Sequence, residues 1–162
     1  MTMRALPALC AGVLMLAACA DGSAGTKTAD TQSGVSTGTM MPGAAEDDAC
    51  GYRIGNTIYF ATESAVLSPD AQQQAERQAC WIRLYPQLSL TIEGHADERG
   101  TREYNLALGE RRAQAMMNFL IALGIDPKRL KTISYGRERP TCIEANEACW
   151  SQNRRGVTTL DN

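Results

Sequence analysis

Glu93-Gly94-His95-Ala96-Asp97-Glu98-Arg99-Gly100 is the most unusual local segment of this chain, a glycine-bounded polar run with an imidazole, three carboxylates and a guanidinium. His95, Asp97 and Glu98 are types that ligate metals or act as general acids and bases. His95 is, however, the only histidine in 162 residues, and a catalytic zinc site usually takes three protein ligands with partners of their own. No serine or cysteine stands beside a credible base, and the surroundings of Gly100 lack a phosphate-loop pattern. The types therefore point to recognition. No enzyme, metal or cofactor is expected, and a structural role for His95 outweighs a chemical one.

Such a loop needs a rigid frame, since binding residues commonly sit where loops leave strand ends. Leu88, Leu90 and Ile92 alternate with Ser89, Thr91 and Glu93, which predicts a strand with one buried face leading into the loop. Behind the loop the pattern predicts a helix from about Arg102 to Leu123, with Leu108, Ala115, Met116, Phe119, Leu120 and Leu123 on one stripe and Gly124 at its cap. Upstream, Ile58 and Phe60 mark a short strand. Ser68-Pro69-Asp70 then supplies a cap, a first-turn proline and an acid for a helix that Pro86 ends. Asp126-Pro127 opens a turn before a third strand near Lys131 to Tyr135, and residues 155 to 161 suit a last strand after an irregular region. The order predicts a two-layer α/β sandwich, β-α-β-α-β plus a C-terminal strand, with helices on one face of a mixed sheet.

Charge narrows the function further. Residues 20 to 48 hold five acids and one lysine, whereas from residue 49 onward 14 Lys+Arg face 13 Asp+Glu. A nearly neutral domain offers no basic face for nucleic acid, so no nucleic-acid partner is expected. At the other end, Arg4 followed by the apolar run Ala5 to Ala18 has the layout of a signal peptide and is too short for a stable span. Leu16-Ala17-Ala18-Cys19 resembles the bacterial lipoprotein signal, which implies a leader over 1–18 and lipidation of Cys19. Three acyl chains would anchor the chain permanently, since two suffice. Ala20 after Cys19 implies, by the habit of such signals, delivery to the outer membrane. Residues 19–48, rich in Gly, Ser, Thr, Ala and Asp, read as a lipidated end and flexible tether. Its root-mean-square span is roughly 30 Å and its extended reach on the order of 100 Å. The domain at 49–162 can therefore reach a polymer layer near the membrane.

From Gly94 to Ala113, through Tyr104-Asn105 and Leu108-Gly109-Glu110-Arg111-Arg112-Ala113, the chain resembles the OmpA-like peptidoglycan-binding domain family. Ser134-Tyr135-Gly136-Arg137-Glu138-Arg139-Pro140 and Asn153-Arg154-Arg155 extend the likeness over most of residues 57 to 158. The resemblance implies a non-enzymatic grip on peptidoglycan through diaminopimelate of the stem peptide, with Asp97 and Arg112 as contacts. Its side-chain end offers an ammonium and a carboxylate, which suit one anion and one planar, bidentate cation. Asn105, Leu108, Ala96 and Phe60 match positions that line or support the pocket. The family often has Asp where this chain has Ala61, which removes one hydrogen-bonding group. Neither Asp97 nor Arg112 lies on the apolar stripe, so the fold is expected to survive loss of either. Arg111 has the usual standing of a solvated helix charge, and Arg154 and Arg155 are balanced between surface pair and functional pair. Partners implied are TolB and other Tol proteins, on the periplasmic face of the outer membrane. The alternative is a wall-anchoring lipoprotein of a secretion or motility complex.

Four cysteines follow Cys19, in a compartment that permits disulfides, and three pairings are possible. Cys142 and Cys149 share one polar segment between Pro140 and Trp150, which favours joining them and leaves Cys50 with Cys80.

Overall fold

The computed structural model describes Cys50 and residues 54–161; the expected leader, Cys19 and the tether lie outside the described residues. Strand β1 is Thr57–Tyr59, and helix α1, Pro69–Leu84, begins where the Ser68 hydroxyl accepts from the Ala71 amide. Strand β2 is Leu90–His95, helix α2 is Arg102–Ala122 and strand β3 is Leu130–Gly136, entered through one 3-10 turn at Pro127–Arg129. Helix α3, Glu147–Asn153, and strand β4, Arg155–Leu160, complete the described chain.

The sheet order is β1-β4-β2-β3, with β2 parallel to β3 and antiparallel to β4, and β4 antiparallel to β1. Because β2 and β3 are parallel, a crossover must join them, and α2 is that crossover. The core lies between the sheet and the two long helices. Ile58, Leu90 and Ile92 meet Ala71, Ala75, Ala79 and Ile82 of α1 and Ala113, Met116 and Leu120 of α2. The expected mixed α/β sandwich is the architecture found, with three differences. β2 begins at Leu90, because Leu88 is held in a turn by its amide to the Tyr85 carbonyl. The irregular region contains α3, seven residues that bury only Cys149 and Asn153. The buried row of α2 is Asn105, Leu108, Gly109, Arg112, Ala113, Met116 and Leu120, whereas Ala115, Phe119 and Leu123 are only half-buried.

Both disulfides have the expected pairing. Cys50–Cys80 ties the segment before β1 to α1, and Cys142–Cys149 closes the loop that carries α3.

The site-bearing strand and helix touch backbone to backbone at Gly94 and Gly109. A Cβ on Gly94 would lie 1.9 Å from the Gly109 carbonyl oxygen, and one on Gly109 would lie 2.3 Å from the Ser134 hydroxyl. No rotamer relieves a clash with backbone, so β2 and α2 would have to separate. Gly94→Ala is expected to lose about 3 kcal/mol of stability, the upper end for overpacking. Urea unfolding checks it, and a midpoint within error of wild type would show that this contact yields.

Candidate functional site

Asp97 lies two residues beyond β2. A register shift between Gly94 and His95 turns the chain there, and the Ala96 amide still donates to the Gly136 carbonyl at 2.8 Å, so the loop leaves from a fixed base. At the start of α2 the Thr101 hydroxyl accepts from the Tyr104 amide, and the Asn105 side-chain amide donates to the Arg99 carbonyl at 2.8 Å. The loop is thus pinned at both ends. Between them opens a cleft of about 120 Å³ lined by Thr62, Glu63, Asp97, Arg99, Tyr104, Asn105 and Leu108 among others. That volume is well under the roughly 300–1,000 Å³ of sites for drug-sized molecules. It suits the end of one side chain.

The Asp97 carboxylate is mostly buried and fully engaged. It accepts from the Arg99 guanidinium at 2.6 Å, from the Arg99 backbone amide at 3.1 Å, and from Arg154 at 3.4 Å. Burial works to raise its pKa, but the hydrogen bonds from Arg99, with help from Arg154, outweigh burial and hold the carboxyl below its ordinary value. Arg154 is itself buried and donates as well to the Phe60 carbonyl and to Glu147. Arg99 stays 39% exposed, its guanidinium carbon 4.4 Å from the centre of the Trp150 ring and one nitrogen 3.9 Å from Glu147.

Arg112 departs from its expected setting. It is fully buried, and its fork donates to the carbonyls of Ser64 and His95 at 2.8 Å each and of Ala61 at 3.1 Å. The guanidinium carbon also lies 5.3 Å from the Phe60 ring centre. Burial lowers its pKa to about 10, with the nearby Asp97 charge opposing the fall. The arginine therefore ties α2, β2 and the β1–α1 loop together beneath the cleft. The expectation that it lies off the buried stripe is corrected here: residues 108, 112, 116 and 120 form one row, and the charge is tolerated there because three carbonyls meet it.

Asn105 and Leu108 line the cleft, whereas Phe60 does not border it and packs against Arg112. Ala96 does not line it; it is buried at the wall of an adjoining cleft with Glu98, Arg137, Pro140 and Ile143. Ala61 is exposed, and its carbonyl serves Arg112. Glu63, two residues on, has a φ of +53°, an uncommon conformation for a side-chain-bearing residue, and borders the cleft.

Four participants escaped the sequence reading: Arg99, Arg154, Glu147 and Trp150. Arg154 carried a partial signal as half of an undecided arginine pair. Trp150 and Glu147 carried none, because they lie about fifty positions from the loop and reach it only by tertiary packing. Trp150 donates its indole N–H to Glu98 at 3.0 Å. His95, by contrast, is buried against Tyr135, ring centres 5.5 Å apart, and only its carbonyl reaches the site.

Comparison with known proteins agrees with this architecture. Residues 59–154 match the model of the OmpA family. The chain is 51% identical over 128 residues to a peptidoglycan-associated lipoprotein of Brucella melitensis, covering 79% of this chain and 75% of that protein. It is 54% identical over 123 residues to one from Mesorhizobium japonicum, covering 76% and 72%. Among solved structures, the peptidoglycan-associated lipoprotein of Burkholderia pseudomallei superposes with a TM-score of 0.63 at 36% identity, over 65% of this chain and 90% of that one. The C-terminal domain of Helicobacter pylori MotB, at 23% identity and a TM-score of 0.62, shares the fold. With a family match over residues 59–154 and relatives at 51% and 54% identity, the chain belongs to the OmpA family, among its peptidoglycan-associated lipoproteins.

Proposed function

We propose that this protein is an outer-membrane lipoprotein, anchored through Cys19 on the periplasmic face, whose domain holds peptidoglycan non-covalently by the diaminopimelate of the stem peptide. It is a binding protein and not an enzyme, in keeping with its family. The observation that carries the reading is the Asp97 cleft. It is sized for one side-chain end, and its Asp97 carboxylate is held below the ordinary carboxyl pKa. Diaminopimelate presents the complementary ammonium and carboxylate. Asp97 takes the ammonium. Arg112, whose fork is committed to three carbonyls, sets the floor of the site and contributes positive potential toward the carboxylate. Asn105 and Leu108 shape the walls, with Phe60 against Arg112 and Ala96 behind the loop.

The similarity to peptidoglycan-associated lipoproteins supports a place in the Tol–Pal system, with TolB as protein partner and a role in envelope integrity and division. Crosslinking in cells followed by recovery of TolB tests that partner, and recovery of a secretion or motility component in its place would favour the alternative scaffold.

Binding to isolated wall sacculi tests the site. Asp97→Ala should weaken it by about 30-fold or more, the effect of removing one member of a desolvated charge pair, worth roughly 2–5 kcal/mol. Free diaminopimelate should compete with sacculi for the wild type. The fold should persist, because Arg154 retains Glu147 and the Phe60 carbonyl. Wild-type retention of Asp97→Ala on sacculi, with an unchanged circular dichroism spectrum, would remove Asp97 from the mechanism.

A further inference from the structure

The Asp97 carboxylate, which on that reading takes the ligand's ammonium, is itself held by a neighbouring guanidinium. Arg99 reaches back to the carboxylate two residues before it and makes the shortest of the four Asp97 hydrogen bonds, 2.6 Å, with another at 3.3 Å from its Nε. The same guanidinium already touches a second seat while it holds Asp97. Its carbon stands 4.4 Å from the centre of the Trp150 ring, and Glu147 lies 3.9 Å from its Nη1. That second seat is rigidly held although α3 is short and adds only Cys149 and Asn153 to the buried residues. The Cys142–Cys149 bridge closes its loop, Asn146 accepts from the Cys149 amide, and the Asn153 side chain holds the backbone of Thr141 and Cys142. A further tie runs from the Trp150 indole to Glu98, inside the loop itself.

Resting on the reading of the Asp97 cleft as the diaminopimelate site, we propose that Arg99 is a built-in occupant of that cleft, which the ligand's ammonium displaces onto the Trp150–Glu147 seat. An ammonium cannot enter while a guanidinium fills the same carboxylate, so the apparent affinity is the intrinsic one reduced by the fraction of molecules in which Arg99 has moved aside. Trp150 and Glu147 make the move affordable, since a cation leaving a carboxylate finds an aromatic face and a second carboxylate within reach. The arrangement makes the site selective: a weakly bound amine does not displace Arg99, whereas a side-chain end that fills the cleft and brings its own carboxylate does. α3 and its disulfide thereby become working parts of the site.

The test follows the signs of two substitutions in the full chain in detergent, titrated calorimetrically with the stem tripeptide L-alanyl-γ-D-glutamyl-meso-diaminopimelate. Arg99→Ala empties the cleft and should tighten binding by about twofold to fivefold, the scale of a partly exposed ion pair. Trp150→Ala removes the second seat and should weaken binding by a similar factor. Once Arg99 is alanine, Trp150→Ala should have a smaller effect, only that of its lost hydrogen bond to Glu98, because the rest of its action runs through the Arg99 side chain. Independently of ligand, the Asp97 carboxyl followed by carbon NMR should titrate at higher pH in Arg99→Ala than in wild type. Weaker or unchanged binding by Arg99→Ala, or an unmoved Asp97 titration, would overturn the inference, as would equal losses from Trp150→Ala in both backgrounds. Asp97→Asn separates the two levels. If it abolishes binding while Arg99→Ala changes nothing, the displacement alone is wrong; if it binds as wild type does, the site itself is wrong and the displacement falls with it.

Discussion

Replacing Arg112 with alanine is expected to lower the unfolding free energy by about 3–5 kcal/mol, within the range for breaking a buried polar network. The side chain is fully buried, and the substitution strips hydrogen bonds from the carbonyls of Ser64, His95 and Ala61 at once. The bond to His95 is buried, and an unsatisfied buried carbonyl costs about 1–3 kcal/mol; the Ser64 and Ala61 carbonyls are only partly buried, and that of Ala61 keeps the Ser64 amide at 3.3 Å. For a domain near 100 residues each kcal/mol moves the melting temperature by roughly 4–8 °C, so a fall of about 15 °C or more should appear in a thermal melt. Arg112→Lys should lie between, because an ammonium is a point donor and cannot span three carbonyls as a planar fork does. A wild-type melting temperature for Arg112→Ala would show that the three carbonyls find other donors. The consequence for binding is direct: loss of sacculus binding by Arg112→Ala reports the floor of the site as much as any contact with ligand. The Asp97 substitution is therefore the cleaner probe of recognition.

Why the sequence misplaced this arginine while placing so much else follows from what periodicity can see. β2 and α2 were legible because each obeys one rule over a long run: alternation from Leu90 to Glu93 and a buried row recurring every three or four residues in α2. α1 was legible at both ends, through the Ser68 cap and Pro69 at the start and Pro86 beyond the finish. A charged residue is scored as solvated by default, so Arg112 was left off its row although the spacing 108, 112, 116 and 120 was in plain view. What lets it be buried is supplied by the loop after β1 and by His95, neither of which is near it in sequence. Helix α3 was invisible for the opposite reason: seven residues, only two of them buried, make barely two turns and no apolar stripe. Its hold comes from a disulfide, an Asn146 cap and the Asn153 side chain. The candidate site was legible where local motif sufficed, at Asp97, Asn105 and Leu108. It was illegible where residues far along the chain complete it, as Trp150, Glu147 and Arg154 do.

Acidification should unfold this protein through a residue that takes no direct part in recognition. His95 is buried, its two ring nitrogens have no hydrogen-bond partner, and its pKa falls from 6.5 to about 3 through burial first and the charges of Arg155 and Arg139 second. The Glu93 carboxylate, 3.6 Å from Nε2, would favour the protonated ring but does not reverse the balance. Between pH 6.5 and about 3 the unfolded chain binds a proton at this position that the folded chain refuses, so stability must decrease as pH falls. The maximal slope from one group is about 1.4 kcal/mol per pH unit, and over the whole window the loss is on the order of 4 kcal/mol. Asp97 adds to the loss only lower down: its carboxyl is held below the ordinary 3.8, so its contribution is present above that value and disappears beneath it. His95→Phe keeps a ring against Tyr135 and removes the titration. It should match wild type within about 1 kcal/mol at pH 8 and exceed it by about 2–3 kcal/mol at pH 4.5. Urea midpoints for both proteins across pH 4 to 8 measure the difference. Parallel curves would assign the acid sensitivity to the carboxylates, whereas curves that converge near pH 7 and part below 6 would assign it to His95. Its carbonyl is one of the three that hold Arg112, so the same proton would loosen the support of that arginine.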